Sequence, residues 1–115
     1  MKTYYGQRRQ DGCLVLVAES DKPGIHNVSA RKLNPRFDLA NHSPTGFEWG
    51  YGGSGPAQLA LALLAHALDD DGTALDYYQQ FKFAMVARLP HAEWALTERD
   101  IKEALEALKR PEAHT

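Results

Sequence analysis

Apolar residues crowd into one segment of the chain and thin out on either side of it. From Leu59 to Leu68 only His66 interrupts a run of leucine and alanine. A helix apolar on nearly all sides is a helix buried on nearly all sides. Pro56 fits the first helical position, where its missing N–H costs nothing and its fixed φ already suits the turn. Gly55 is then the N-cap, and Gln58 is placed to reach back to the cap N–H. A central core helix is expected over 56–69.

Upstream, the pattern is that of strands. Residues 3–19 read as a β-hairpin about the turn pair Asp11-Gly12, with Tyr4 and Tyr5 on its first strand. The second, Cys13-Leu14-Val15-Leu16-Val17-Ala18, is apolar enough to be covered on both faces. Asp21, Pro23, Gly24 and Asn27 place a loop over 20–27. A third strand is expected from Val28 to Leu33, with Val28, Ala30 and Leu33 inward. Asn34-Pro35 breaks it, and Phe37 and Leu39 then alternate like a short edge strand. Phe47-Glu48-Trp49-Gly50-Tyr51 is either a short strand or an extended rim leading into the glycines.

Downstream, the period is helical. Thr73 with Asp76 makes a capping-box variant for a helix over 73–89 that stops at Pro90. Its Leu75, Tyr78, Phe81, Met85 and Leu89 share a face, and Phe83 falls outside it. Trp94-Ala95-Leu96 is a short extended piece. Thr97 and Asp100 cap a helix over 97–109, with Ile101, Ala104, Leu105 and Leu108 inward and Glu98–Lys102 paired outside. Pro111 ends it, and the last four residues are expected to fray. The fold class is α+β: a small antiparallel sheet drawn from residues 3–51, packed on three C-terminal helices.

Composition refines this picture only slightly. A chain of 115 residues reads as one domain over 1–115. Its 43% apolar and 24% charged content is ordinary for a globular protein. Leu59–Leu68 is too short to span a bilayer, the first residues lack a signal-peptide pattern, and the lone Cys13 suits a reducing compartment. The expected location is cytoplasmic, away from membranes. Residues 1–46 hold seven Lys/Arg against four Asp/Glu, and residues 47–115 hold six against eleven. A basic patch of Arg8, Arg9, Arg31, Lys32 and Arg36 is one reading, and scattered solvated charge is the other. No cofactor motif is present. The five histidines never reach metal-ligand spacing, and Asp69-Asp70-Asp71-Gly72 lacks the alternating pattern of a calcium loop.

The stretch before the core helix is the candidate site. Gly50, Gly52 and Gly55 spell G-x-G-x-x-G, but the helix opens after the last glycine and no parallel strand follows, which excludes a dinucleotide fingerprint. A Walker loop is excluded too, because no Gly-Lys-Ser/Thr follows. What survives is a helix N-terminus whose N–H groups suit a phosphate or carboxylate. Trp49 and Tyr51 would stack beside it. The candidate ligand-binding residues are therefore His42, Ser43, Glu48, Trp49, Tyr51, Gly52, Gly53, Ser54, Gly55 and Gln58. The alternative is structural: Glu48, or an acidic group elsewhere, satisfies those N–H groups, the glycines permit a tight turn into the helix, and the aromatics pack. His42, Ser43, Glu48 and Ser54 lack the elbow or spacing of a nucleophile site.

The run Ser43-Pro44-Thr45-Gly46-Phe47-Glu48-Trp49-Gly50-Tyr51-Gly52-Gly53-Ser54-Gly55-Pro56-Ala57-Gln58-Leu59-Ala60 resembles the signature of an uncharacterised family of small prokaryotic and phage domains. Tyr4-Tyr5-Gly6-Gln7-Arg8-Arg9, Tyr78-Gln79-Gln80-Phe81-Lys82 and Trp94-Ala95-Leu96-Thr97 resemble it as well. The resemblance implies no assigned activity; its phage and mobile-element setting implies host–element interaction. The expected function is a non-enzymatic binding module whose partner is a protein or a small anionic ligand. A nucleotide or nucleic-acid binder and a small enzyme around His42, Ser43 and Glu48 are the alternatives.

Overall fold

The computed structural model describes residues 1–19 and 29–110. The expected loop over 20–27, Val28 and the last four residues lie outside the described residues. Two antiparallel strands, β1 (Lys2–Arg9) and β2 (Gly12–Glu19), form the hairpin. Arg9 pairs with Gly12, so the turn is Gln10-Asp11, one residue earlier than the sequence indicates. Among the described non-glycine residues only Arg36 and Asp69 have positive φ, so the turn is not of the primed type. Gly12 takes the left-handed conformation instead, at φ 128°.

Strand β3 (Ser29–Lys32) pairs with β2; its register sets Ala30 opposite Ala18 on the exposed face, not inward as expected, while Leu33 just past its end is buried. A fourth strand, β4 (Glu93–Thr97), arrives from the C-terminal half and pairs with the free edge of β1. The sheet order is β3-β2-β1-β4, antiparallel throughout. The architecture is α+β, but the sheet is not confined to residues 3–51. Trp94 and Leu96 pair with Gly6 and Tyr4 on the helix-facing side. A Cβ on Gly6 would lie 2.2 Å from the Trp94 ring, so glycine makes room for the indole.

Phe37 and Leu39 form a turn, not an edge strand. Arg36 sits there at φ 60°, and its carbonyl accepts from the Leu39 N–H at 3.0 Å. Residues 47–51 are irregular, the rim alternative.

The core helix α1 (Ser54–Leu68) starts two residues earlier than expected. Its N-cap is Gly53 in an extended conformation, and Pro56 occupies the third helical position. Any of the first four N–H groups lacks an intrahelical partner, so proline is tolerated there as well. Every residue from Gly55 to Ala65 is buried. The following helix α2 (Asp71–Ala84) also starts early, because Asp70 rather than Thr73 is the cap. Its carboxylate accepts from the Thr73 N–H at 3.1 Å and from the Thr73 hydroxyl at 2.7 Å. The helix ends at Ala84, and a single 3₁₀ turn over Val86–Arg88 leads to Pro90. Its inward stripe holds Ala74 and Phe81, with Tyr77, Tyr78 and Met85 packed beside them, while Leu75 faces solvent. The last helix, α3 (Glu98–Lys109), has the full Thr97–Asp100 capping box and buries Ile101 and Leu105 as expected. The Glu98–Lys102 pair closes at 2.7 Å.

The core thus lies between one sheet face (Tyr4, Val15, Val17, Trp94, Leu96) and α1 with its flanking helices.

Candidate functional site

The ten candidate residues separate into a buried set and an exposed set. Trp49 is 1% exposed, so neither face is free to stack a base. Its ring meets Trp94 edge-on at 5.4 Å, and its Nε1 donates to the His91 carbonyl at 2.9 Å. The Arg8 guanidinium lies 5.1 Å from the Trp49 ring centroid and donates to the same His91 carbonyl at 3.0 Å. Arg8 also pairs with Glu48 at 2.9 Å. Burial pushes the Glu48 carboxyl up, but the Arg8 hydrogen bond and charge outweigh it and hold it below its ordinary value. Burial raises the neighbouring Cys13 thiol, and the Glu48 charge adds to that rise. Glu48 is therefore part of a packed arginine–tryptophan assembly and does not cap α1.

Gln58 is fully buried and does not reach back to a cap. Its Oε1 accepts from the His42 N–H at 2.8 Å, and its Nε2 donates to the carbonyls of Pro35 at 2.6 Å and Ala40 at 3.0 Å. One side chain thereby fastens the whole 35–42 loop to the core helix. The His42 ring sits outside, with Nε2 2.6 Å from the Tyr78 hydroxyl. Ser43 is buried. His42 and Glu48 thus engage separate partners, not one another.

The glycines have steric reasons. Gly50 requires positive φ, at 88°. A Cβ on Gly55 would approach Glu48 Cβ to 2.6 Å and its backbone N to 3.2 Å. A Cβ on Gly53 would strike the Tyr51 ring at 2.7 Å, and one on Gly52 the Phe83 ring at 2.8 Å. Tyr51 and Phe83 thus lie close against a glycine backbone on consecutive residues, while remaining 51% and 60% exposed. The Lys82 ammonium stands 4.2 Å from the Phe83 centroid. Beside them, α1 begins with no side-chain cap and no acidic residue in its first turn.

The exposed surface here is therefore Tyr51, Gly52, Ser54 and Phe83, contributed by the rim, the start of α1 and the end of α2. Phe83 lay outside the candidate set, although its place off the apolar stripe of α2 was the readable sign. Arg8 was legible only as a member of the basic patch and of a segment that carries the family resemblance, Lys82 only within such a segment, and His91 gave no sign. The five basic residues do not form one free patch: Arg8 engages Glu48, Arg31 lies 3.5 Å from Glu19, and Arg36 bridges Asp38 and Asp71. Among the described residues no group of three His, Cys, Asp or Glu is arranged to hold a metal ion. None of the described helices is long and apolar enough to cross a membrane.

A four-stranded antiparallel sheet backed on one face by three helices, with a glycine-rich rim at the head of the central one, defines a small α+β class. Within it, this chain belongs to the Family of unknown function (DUF6166), whose model matches residues 4–107. No curated protein and no solved structure matches the chain.

Proposed function

We propose that this protein is a non-enzymatic interaction module, and that it engages a partner protein through the Tyr51–Gly52–Phe83 surface at the head of α1. The observation that carries this reading is the pair of half-exposed aromatic rings seated on adjacent glycines. Each ring is fixed on one side by backbone, so little side-chain entropy is lost on binding, and aromatic anchors of this kind dominate interface energetics. The unfilled N-terminus of α1 favours a carboxylate on the partner beside those rings, and the Lys82 ammonium, itself largely buried, adds positive charge 4.2 Å from the Phe83 ring. The setting implied by the family resemblance makes a host or phage protein the class of partner to look for.

The nucleotide and nucleic-acid readings have less support, because Trp49 is buried and the arginines are paired. A small enzyme has less still, because His42 and Glu48 do not converge. The test is quantitative affinity capture from the native host with wild type and with Tyr51→Ser/Phe83→Ser. The reading requires a protein captured by the wild type and depleted at least tenfold by the double variant, at unchanged melting temperature. Equal capture by both would overturn it.

A further inference from the structure

We infer that the sheet face turned away from the helices is a self-association surface, and that two copies of this chain pack there face to face about a two-fold axis. The β2 run Cys13–Ala18 has an apolar pattern that calls for cover on both faces, yet among the described residues the helices cover one only. The other face is a regular grid fixed by the strand register. One row across the sheet is Lys32, Leu16, Tyr5 and Ala95; the row on one side is Ala30, Ala18, Thr3 and Thr97; the row on the other holds Leu14, Gln7 and Glu93. Leu14, Leu16 and Ala18 are only half-buried, Ala30 and Ala95 are exposed, and Tyr5 is 42% exposed.

This face is complementary to itself in charge and in shape. Lys32 stands at its β3 edge and Glu93 at its β4 edge, so these two charges flank an apolar centre from opposite sides, while Arg9, donating to Gln7 at 2.8 Å, adds a third charge at the hairpin end of the face. A two-fold axis parallel to the strands exchanges those edges and carries Lys32 of one copy over the Glu93 end of the other. Facing sheets pack about 10 Å apart, a gap that a lysine and a glutamate side chain together span. A hollow of about 330 Å³ lies between β1 and β4, lined by Tyr5, Gly6, Gln7, Glu93, Trp94 and Ala95. The same axis brings the Leu14–Leu16 ridge of the opposite copy towards it.

The footprint sets the strength of association. Four strands at ~4.8 Å spacing and about six residues at ~3.3 Å give a face of roughly 400 Å², smaller than the ~800 Å² per partner of a standard interface. The dimer is therefore of the weak, transient class. Its two Tyr51–Phe83 surfaces belong to the outer helical layers, which would make the assembly bivalent.

Sedimentation equilibrium from about 5 µM to 1 mM tests this. The inference requires a monomer–dimer equilibrium weakened at least tenfold by Leu16→Lys, with circular dichroism and melting temperature preserved. Lys32→Glu and Glu93→Lys must each weaken the dimer about threefold or more, and the double swap must return it to within twofold of wild type. Tyr51→Ser/Phe83→Ser must leave the dimer unchanged, which separates this inference from the proposed binding surface. A monomer throughout the range overturns it. A dimer indifferent to Leu16→Lys, or a charge swap without rescue, overturns the arrangement.

Discussion

Two helical glycines make a matched experiment on why the rim is rich in glycine. Gly55 lies in the first turn of α1 and Gly72 in the first turn of α2. Replacing glycine by alanine in a helix gains up to about 1 kcal/mol of backbone entropy. At Gly72 the new methyl would meet only an Asp70 carboxylate oxygen at 3.6 Å, an ordinary contact. Gly72→Ala should therefore stabilise the protein by about 0.5–1 kcal/mol. At Gly55 the methyl would fall 2.6 Å from Glu48 Cβ and 3.2 Å from the Glu48 backbone nitrogen. Neither atom belongs to a flexible tip, and Glu48 is held by Arg8, so relief requires moving the rim itself. Overpacking of this kind costs about 1–3 kcal/mol, and the upper half of that range applies here. The net effect of Gly55→Ala is then a loss of about 1–2 kcal/mol. For 115 residues, an unfolding entropy of about 2.1 cal/mol/K per residue converts 1 kcal/mol to ~4 °C. Differential scanning calorimetry should place Gly72→Ala about 2–4 °C above wild type and Gly55→Ala about 4–8 °C below it. Equal stabilisation by both would refute the steric account of the rim.

Gln58→Leu should lower stability by about 2–4 kcal/mol in urea unfolding, because it strands the His42 N–H and the Pro35 and Ala40 carbonyls at once; a loss below about 1 kcal/mol would contradict its role as the fastener of the 35–42 loop. His66 supplies a pH dependence. Its pKa lies below the ordinary histidine value of 6.5, first through burial and then through the Lys2 charge, against an opposing effect of Glu19. The unfolded chain therefore binds the proton more readily, so this contribution is complete above about pH 6.5 and is lost as pH falls through the lower native value. Urea midpoints measured from pH 7.5 down to 5 should decline, and His66→Gln, which can still accept from the Tyr4 hydroxyl now 2.8 Å from Nδ1, should flatten that decline. An unchanged slope in the variant would remove His66 as its source.

Much of the fold was legible because it rests on local rules. The all-apolar run of α1, the Thr97–Asp100 box of α3 and the alternation of Trp94 and Leu96 each announce themselves within a few residues. What could not be read depends on long-range partners. Nothing near Gln58 tells that its amide is needed by a loop some twenty residues upstream, so the nearer cap N–H was the natural target. Gly53 and Gly55 both serve as N-caps in principle, and the chain takes the earlier one, Gly53 in an extended conformation. Trp49 resembled an exposed platform until the His91 carbonyl and the Arg8 guanidinium, each some forty residues away, were seen to hold it. Phe83 reached the site only through the packing of α2 beside the rim.

The binding proposal can be tested most directly by photo-crosslinking in the native host. A benzophenone amino acid would be placed in turn at Tyr51, at Phe83 and, as a control, at Arg99 on the exposed side of α3. The account predicts one discrete protein adduct shared by positions 51 and 83 and absent at 99. No adduct at either aromatic position, or the same adducts at all three, would contradict it.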